Sequence, residues 1–343
     1  MAKIDELKEE ARKLLQEGKV KYIIGYTTGT DGWSAVPAFI RTAEEVDRIV
    51  WDPTCVHNLT KFLVDEKRRK SRSRKPDTRP VGLFVKGCDS RAVVVLLQEK
   101  FINRGDVYLL GVSCEKAGVI DDRKLAQKLK GKKPMKVELG DNGRIVISTP
   151  EGTLEVPAEE LLADRCLECR ANFPVVFDVL AGDKVKRAVE KPYGSLEKIE
   201  KLTAEERFKF WKEQLDKCIR CYACRSVCPM CYCDECVVDS VNLSVTADTS
   251  AEEKAQRIKW LQRSAESSEN FVYHFVRAIH LGGRCIDCGE CERACPLDIP
   301  LRFLNKKLEK EASELFGYEA GFDAELPALI ACFRDEDPQD FIR

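Results

Sequence analysis

Apolar residues in the first half of the chain fall into short runs that alternate with longer amphipathic stretches. The runs predict strands at Lys21–Tyr26, Val81–Lys86 and Asp106–Val112. The amphipathic stretches predict helices at Thr42–Val50, His57–Lys70 and Ser90–Phe101. This alternation of strand and helix predicts an α/β domain at residues 1–200, in which flanking helices cover a mostly parallel sheet.

Apolar residues recur at helical spacing from about residue 200 onward. They predict helices at Ala204–Lys217, Glu252–Ala265, Phe271–Leu281 and Leu301–Leu315. Cysteine-rich runs fall in the loops between these helices. We therefore expect a second, helical domain at residues 201–343.

Two shorter segments interrupt the pattern of the first domain. The segment KVELGDNGRIVI predicts a β-hairpin that turns at Asp141–Asn142–Gly143. The segment Lys67–Lys75 (KRRKSRSRK) predicts a solvated basic loop before Pro76. A surface that steers an acidic redox partner is the alternative interpretation of this loop.

The overall charge excludes several classes of partner. The net charge is −1, so nothing global indicates binding to nucleic acid or to an anionic membrane. No apolar run approaches the roughly 20 residues that a transmembrane helix needs. The first residues form a charged amphipathic pattern without the apolar core of a signal peptide, which predicts a cytoplasmic protein.

The chain has 17 cysteines, and their clustering indicates metal sites. In a reducing compartment clustered thiols mostly bind metals. Two runs have the spacing C-x2-C-x2-C-x3-C-P of bacterial dicluster ferredoxins, in which the fourth cysteine of each run ligates the other cluster. This predicts one [4Fe-4S] cluster on Cys218, Cys221, Cys224 and Cys295. It predicts a second on Cys228, Cys285, Cys288 and Cys291. Two zinc ribbons are the rival interpretation.

A third set of cysteines follows predicted strands of the first domain. Cys88 and Cys114 each follow a strand, and the carboxyl ends of neighbouring parallel strands lie at one edge of a sheet. The pair Cys166-x2-Cys169 could complete a four-thiolate set from a loop.

These segments resemble the beta subunits of coenzyme F420 hydrogenases and dehydrogenases, including those of formate dehydrogenases. The resemblance lies in VGLFVKGCDSRAVVVLLQ, YLLGVSC and CLECRANFPVVFDVLAGD. It implies a [4Fe-4S] cluster held by Cys88, Cys114, Cys166 and Cys169. Members of the family also bind FAD near this cluster. This chain has GYTTGTDGWSA and DPTCVHN where the family has its flavin-site segments, so FAD binding is the less favoured expectation.

Four further cysteines predict a fourth centre. Cys55 lies in the segment that replaces a flavin-site stretch, and C-x-C-x2-C supplies Cys231, Cys233 and Cys236. A [4Fe-4S] cluster shared by these four thiolates is the favoured hypothesis. The alternatives are a structural zinc, with His57 as a possible ligand, or Cys233 and Cys236 joining Cys166 and Cys169. Cys332 is expected to be a buried thiol.

Several clusters in one chain predict one-electron transfer. The three histidines, His57, His274 and His280, are scattered and predict no acid–base site. We therefore expect a non-catalytic electron-transfer subunit of an anaerobic redox complex. The resemblance implies a link between a formate dehydrogenase or hydrogenase subunit and a flavin-bearing or heterodisulfide-reductase-type partner. The alternatives are an FAD-containing subunit that reduces a deazaflavin or nicotinamide, and a zinc-stapled scaffold.

Overall fold

The computed structural model describes residues 2–114, 118–140, 143–184, 186–233, 236, 238, 248, 250–253 and 265–332. The chain divides into two units. The first contains Met1–Gly194 and Ala320–Ala328, and the second contains Ser195–Glu319 and the chain from Leu329 onward. The predicted strands and the third cysteine set lie in the first unit, and the ferredoxin-type runs lie in the second.

A five-stranded sheet forms the centre of the first unit. Its strands are β1 (Ile23–Thr28), β2 (Ala35–Ile40), β3 (Val81–Val85), β4 (Val107–Val112) and β8 (Val179–Ala181). They lie in the order β2-β1-β3-β4-β8, with β2 antiparallel to β1 and all other pairs parallel. This confirms the mostly parallel sheet. Strands β2 and β8, at its two edges, are absent from the sequence predictions.

Helices flank this sheet, as predicted. Helix α1 (Ala2–Gln16) packs against β4 and β8, and the hydroxyl of Tyr108 donates to Glu10 at 2.8 Å. Helix α3 (Gly87–Gln98) connects β3 to β4 and is buried over most of its length. Strand β3 is buried at every position, which is typical of a strand covered on both faces.

Two predictions for the first unit are wrong in part. The segment Thr42–Val50 forms only a 3-10 helix at Glu44–Arg48. The basic segment predicted as a loop begins inside helix α2 (Lys61–Arg72). Lysine and arginine are good helix formers and are favourable in the last turn, where they face the negative end of the helix dipole. Only the part of the basic segment after Arg72 lies outside a helix.

A small antiparallel sheet completes the first unit. Its strands are β5 (Lys136–Leu139), β6 (Arg144–Thr149) and β7 (Gly152–Pro157). The β5–β6 pair confirms the hairpin, whose turn residues 141 and 142 lie outside the described residues. Strand β7 was not predicted. Helices α4 (Asp122–Leu129), α5 (Ala158–Leu161) and α6 (Asp164–Leu167) accompany this sheet.

The described part of the second unit is helical. Its helices are α7 (Glu197–Glu200), α8 (Ala204–Leu215), α9 (Ala223–Ser226), α10 (Ser267–Leu281), α11 (Glu290–Arg293) and α12 (Leu301–Phe316). A capping box begins α8, since Thr203 and Glu206 bond each other's backbone N–H groups. Helix α10 packs between α8 and α12. Most of the predicted helix Glu252–Ala265 lies outside the described residues.

No helix within the described ranges has the length and apolar character needed to cross a membrane.

Two adjacent acids on α2 give a test of the fold. Glu66 is buried with Lys21, Tyr22 and Arg69 around its carboxylate, whereas Asp65 is exposed and pairs with Lys61 at 2.7 Å. Replacing Glu66 by alanine leaves the buried Lys21 without a counter-charge. We expect this change to lower the free energy of unfolding by about 3 kcal/mol. Urea denaturation measures this loss.

The matched variant Asp65→Ala is expected to change stability by about 0.5 kcal/mol or less. Burial raises the pKa of Glu66, but Lys21, Tyr22 and Arg69 outweigh burial and leave it below its usual value. The Glu66 contribution is therefore present above the unfolded pKa of about 4.3 and disappears as the pH falls through the folded value. Equal losses in the two variants would contradict this account.

Candidate metal centres

The third cysteine set, Cys88, Cys114, Cys166 and Cys169, belongs to the carboxyl edge of the central sheet. Strands β3 and β4 are adjacent and parallel, so the residues that follow them meet at one edge. Cys88 stands in the first turn of α3, just after β3, and Cys114 follows β4. The backbone N–H of Cys114 donates to the carbonyl of Asn172 at 2.6 Å, which ties this edge to the segment after Cys169.

Two glycines allow the cysteine segments to approach. A Cβ on Gly87 would stand 1.7 Å from the carbonyl oxygen of Ala171, so only glycine lets the start of α3 meet this loop. A Cβ on Gly118 would stand 2.5 Å from the Sγ of Cys166. The same sulfur accepts from the N–H of Val119 at 3.4 Å. These contacts bring Cys88, Cys114, Cys166 and Cys169 to one region of the first unit.

The thiols of this set are close enough to act on each other electrostatically. Burial raises the pKa of Cys114 to about 12, and the charges of Cys166 and Cys169 contribute. Burial also raises the pKa of Cys88 well above its usual value, with contributions from Asp89, Cys169 and Cys114. Thiols in this environment stay protonated unless a positive centre stabilises the thiolates.

Basic side chains surround the same region. Arg187 donates from Nη2 to the carbonyls of Cys166 and Cys169, the latter at 3.2 Å. Lys86 is buried and donates to the hydroxyl of Tyr26 at 2.5 Å and to the carbonyl of His57 at 2.8 Å. Asp89 pairs with Lys86 at 3.0 Å and balances its charge, so Arg187 is the cation that favours an anionic group here.

The two ferredoxin-type loops of the second unit share one backbone conformation. Two residues after the first cysteine, Arg220 and Asp287 have φ of 56° and 53°. Two residues further on, Tyr222 and Gly289 have φ of 60° and 67°. Left-handed conformations are uncommon outside glycine, so their recurrence at matching positions indicates that both loops wrap in the same way.

Backbone N–H groups in these loops point at cysteine sulfurs. The N–H of Arg220 donates to Cys218 Sγ at 3.4 Å, and the N–H of Asp287 bonds the sulfur of Cys285. Each loop therefore presents donors to its own first thiol. Such donors stabilise a thiolate and influence a metal centre bound to it.

A cavity in the second unit brings thiols from the two loops together. Its lining includes Cys228 from the first loop with Cys285, Cys288 and Cys291 from the second, and also Arg277 and Asn305. The four cysteines are the set assigned from the spacing to the second cluster.

The set of Cys218, Cys221, Cys224 and Cys295 is less closely defined. The charges of Cys224 and Cys295 act on Cys218, although Cys295 belongs to the other loop. Cys221 is exposed. The crossed assignment of this set stays a prediction.

Sequence reasoning missed the side chains that touch these sulfurs. Tyr273 Oη lies 3.7 Å from Cys224 Sγ, and His274 Nε2 lies 3.3 Å from Cys218 Sγ. Asn305 of α12 donates from Nδ2 to Cys291 Sγ at 3.6 Å. His274, one of the three scattered histidines, therefore has a thiol as its partner. Burial, together with the charges of Arg277 and Arg220, lowers its pKa to about 3, so His274 is neutral.

The remaining cysteines divide between the units. Cys55 is buried in the first unit, where its sulfur lies 3.5 Å from the N–H of Asp52 and 3.9 Å from the carbonyl of Val50. In the second unit Cys231 hydrogen-bonds Cys228, while Cys233 is exposed and Cys236 is half-buried. The shared centre of Cys55, Cys231, Cys233 and Cys236 stays a prediction. Cys332 is half-buried.

Across the described ranges, no three His, Cys, Asp or Glu side chains form a group that could hold a metal ion. A single ion needs all its ligands at bonding distance from one point. In a [4Fe-4S] cubane the four thiolates bind four separate irons. Their sulfurs can therefore lie further apart than the ligands of a single ion.

Comparison with known proteins gives relatives over nearly the whole chain. No family profile matches. The beta subunit of the F420-dependent formate dehydrogenase of Methanocaldococcus jannaschii is 24% identical over 92% of this chain and 91% of its own length. The beta subunit of F420-dependent formate dehydrogenase 1 of Methanococcus maripaludis is also 24% identical, over 92% of this chain and 90% of its own.

A solved structure is also similar to part of the chain. It is a chain of the xenon-derivatised F420-reducing [NiFe] hydrogenase complex from Methanosarcina barkeri, with a TM-score of 0.37 and 19% identity. The match covers 48% of this chain and 58% of that one. The two formate dehydrogenase subunits match over 92% of this chain. They confirm the resemblance of its cysteine motifs to the beta subunits of F420-linked dehydrogenases.

Proposed function

We propose that the chain is a non-catalytic electron-transfer subunit that carries [4Fe-4S] clusters within an oxidoreductase complex. The observation that carries this proposal is the cavity that Cys228 shares with Cys285, Cys288 and Cys291. Thiols that come from two sequence runs and line one cavity fit the arrangement that the three-plus-one spacing requires.

Buried donors near these thiols support the proposal. The Nε atoms of Arg220 and Arg277 are buried and have no acceptor among the described residues. A buried donor without a partner is rare and costly. Thiolates and sulfides are acceptors, so bound clusters fit the donors that the chain presents.

Each bound cluster would supply one-electron transfer, and the protein would supply its environment. The cysteine sulfurs would hold the irons, and the N–H groups of Arg220 and Asp287 would stabilise the thiolates. Burial of Cys228 and Cys291 would keep water from the second cluster. We assign a third cluster to Cys88, Cys114, Cys166 and Cys169, because these thiols meet at the sheet edge among basic side chains.

The relatives indicate the kind of complex. They are named as beta subunits of F420-dependent formate dehydrogenases, so their names describe parts of larger assemblies. We propose that this chain relays electrons between a catalytic subunit of the formate dehydrogenase or hydrogenase type and a second redox partner. That partner carries flavin or is of the heterodisulfide reductase type.

A second candidate function is an FAD-containing subunit that itself reduces a deazaflavin. The words "F420-dependent" in the names of the relatives favour it. The two candidates differ in flavin content. Anaerobically purified protein with iron and sulfide but no flavin supports the relay, and one FAD per chain supports the second candidate.

The crossed assignment can be tested with three alanine variants. We expect Cys228→Ala and Cys288→Ala to remove the same EPR signal, although Cys228 belongs to the first sequence run. Each variant should lose about four irons per chain, because one cubane loses a ligand. The matched variant Cys332→Ala should retain all iron. If Cys228→Ala instead removed the signal that Cys221→Ala removes, the assignment of Cys228 to the second cluster would be wrong.

The third cluster can be tested without removing a thiol. In Gly118→Ala the new methyl group would occupy space 2.5 Å from Cys166 Sγ. We expect this variant to lose the cluster signal that Cys166→Ala loses. Gly105→Ala is the control, because a Cβ there meets nothing within 4 Å. Iron analysis and EPR of both variants would show the difference, and full iron in Gly118→Ala would contradict the assignment.

The fourth centre gives a stoichiometric prediction. If Cys55, Cys231, Cys233 and Cys236 share a [4Fe-4S] cluster, anaerobic protein should contain about sixteen irons at four per cubane. Cys55→Ala should then lower the count by about four without changing flavin content. About twelve irons with one zinc would make the site structural. About twelve irons with stoichiometric FAD would leave Cys55 as a buried thiol and favour the second candidate function.

A further inference from the structure

Arg277 of α10 stands between the two cysteine sets of the second unit. Its side chain is 6% exposed and donates from Nη2 to the carbonyl of Cys224 at 3.1 Å. It also lines the cavity of the second set, beside Cys228 and Cys291. One guanidinium therefore faces a ligand of each predicted cluster.

The charges around Arg277 come from cysteines. After burial, the strongest electrostatic influences on it are the sulfurs of Cys231, Cys224, Cys228 and Cys291. Its side chain also hydrogen-bonds the Cys231 thiol, while its Nε–H is buried without an acceptor among the described residues. A buried cation with an unsatisfied donor is unfavourable unless an anionic group lies against it.

We propose that Arg277 is a positioning residue that raises the reduction potential of both clusters in the second unit. This inference rests on the proposed electron-transfer function. Reduction adds one negative charge to a cluster, and a fixed cation stabilises that charge more strongly inside a protein than in water. The free Nε–H would add a charge-assisted hydrogen bond to the cluster.

Arg220 provides the contrast, because its contacts among the described residues lie beside the set of Cys218. Its charge acts on Cys218, its Nη1 donates to the carbonyl of Glu269 at 3.0 Å, and its guanidinium lies 4.4 Å from the ring centre of Tyr273. Arg220 should therefore influence one cluster, and Arg277 should influence two. A cation shared in this way keeps the two potentials close, which suits electron transfer in steps between neighbouring clusters.

The test is an EPR-monitored redox titration of the full anaerobic chain. We expect Arg277→Gln to lower both midpoint potentials, each by a tenfold or greater shift of the redox equilibrium, or about 59 mV for a one-electron couple. Arg220→Gln should lower only the potential of the cluster on Cys218. Arg277→Lys keeps a charge but places it further from the sulfurs, so both potentials should fall by less. Lys209→Gln, at an exposed position of α8, should change neither.

Each outcome decides the inference. Unchanged potentials in iron-loaded Arg277→Gln would overturn it. If Arg277→Gln takes up less iron, the Arg277→Lys variant replaces it as the test. Two lowered potentials in Arg277→Lys would support an effect of Arg277 on the reduction potentials. Unchanged potentials would show that Arg277 only stabilises the fold. If the midpoint potential of only one cluster shifted, the inference that both clusters share Arg277 would be overturned. Wild-type protein without iron in the second unit would instead refute the proposed function.

Discussion

Burial of thiols beside cations, away from water, is the constraint on which both units depend. Burial and neighbouring thiols raise the pKa of Cys88, Cys114 and Cys291, so these groups keep their protons unless a positive centre stabilises the thiolates. A buried arginine such as Arg277 is costly unless it faces negative charge. Both costs fall if the thiols become thiolates of a bound cluster. Under the proposed function, the stability of these regions therefore depends on metal binding.

Helix α10 has polar residues on its buried face. It buries Asn270, Tyr273, His274 and Arg277, while Val272, Phe275 and Ile279 are 41%, 39% and 64% exposed. This reverses the usual amphipathic pattern, in which the apolar face is buried. The buried polar face makes sense where it meets thiols, because polar groups that are buried need partners.

Some of the structure could be predicted because its signal is local. Cysteine spacing defines the ferredoxin-type sets, and continuous apolar runs define β3 and β4. Strand β2 was missed because Pro37 interrupts its pattern, which is tolerated only in an edge strand such as this one.

Other features depend on contacts between distant segments. The approach of Cys88 to the loop at Ala171 requires glycine at position 87, and the sequence does not say which segment it meets. The contact of His274 with Cys218 likewise joins residues 56 apart. The polar residues at helical spacing in α10 were a signal, but they identify a buried polar face and not the sulfurs that it touches.

The central claim is that thiols from two sequence runs hold common iron clusters. Anomalous diffraction from crystals of the anaerobic protein, recorded on both sides of the iron absorption edge, tests it most directly. The account predicts compact iron density between Cys228, Cys285, Cys288 and Cys291, and again between Cys218, Cys221, Cys224 and Cys295. Density at the zinc edge in these positions, or iron bound by the four cysteines of a single run, would contradict it.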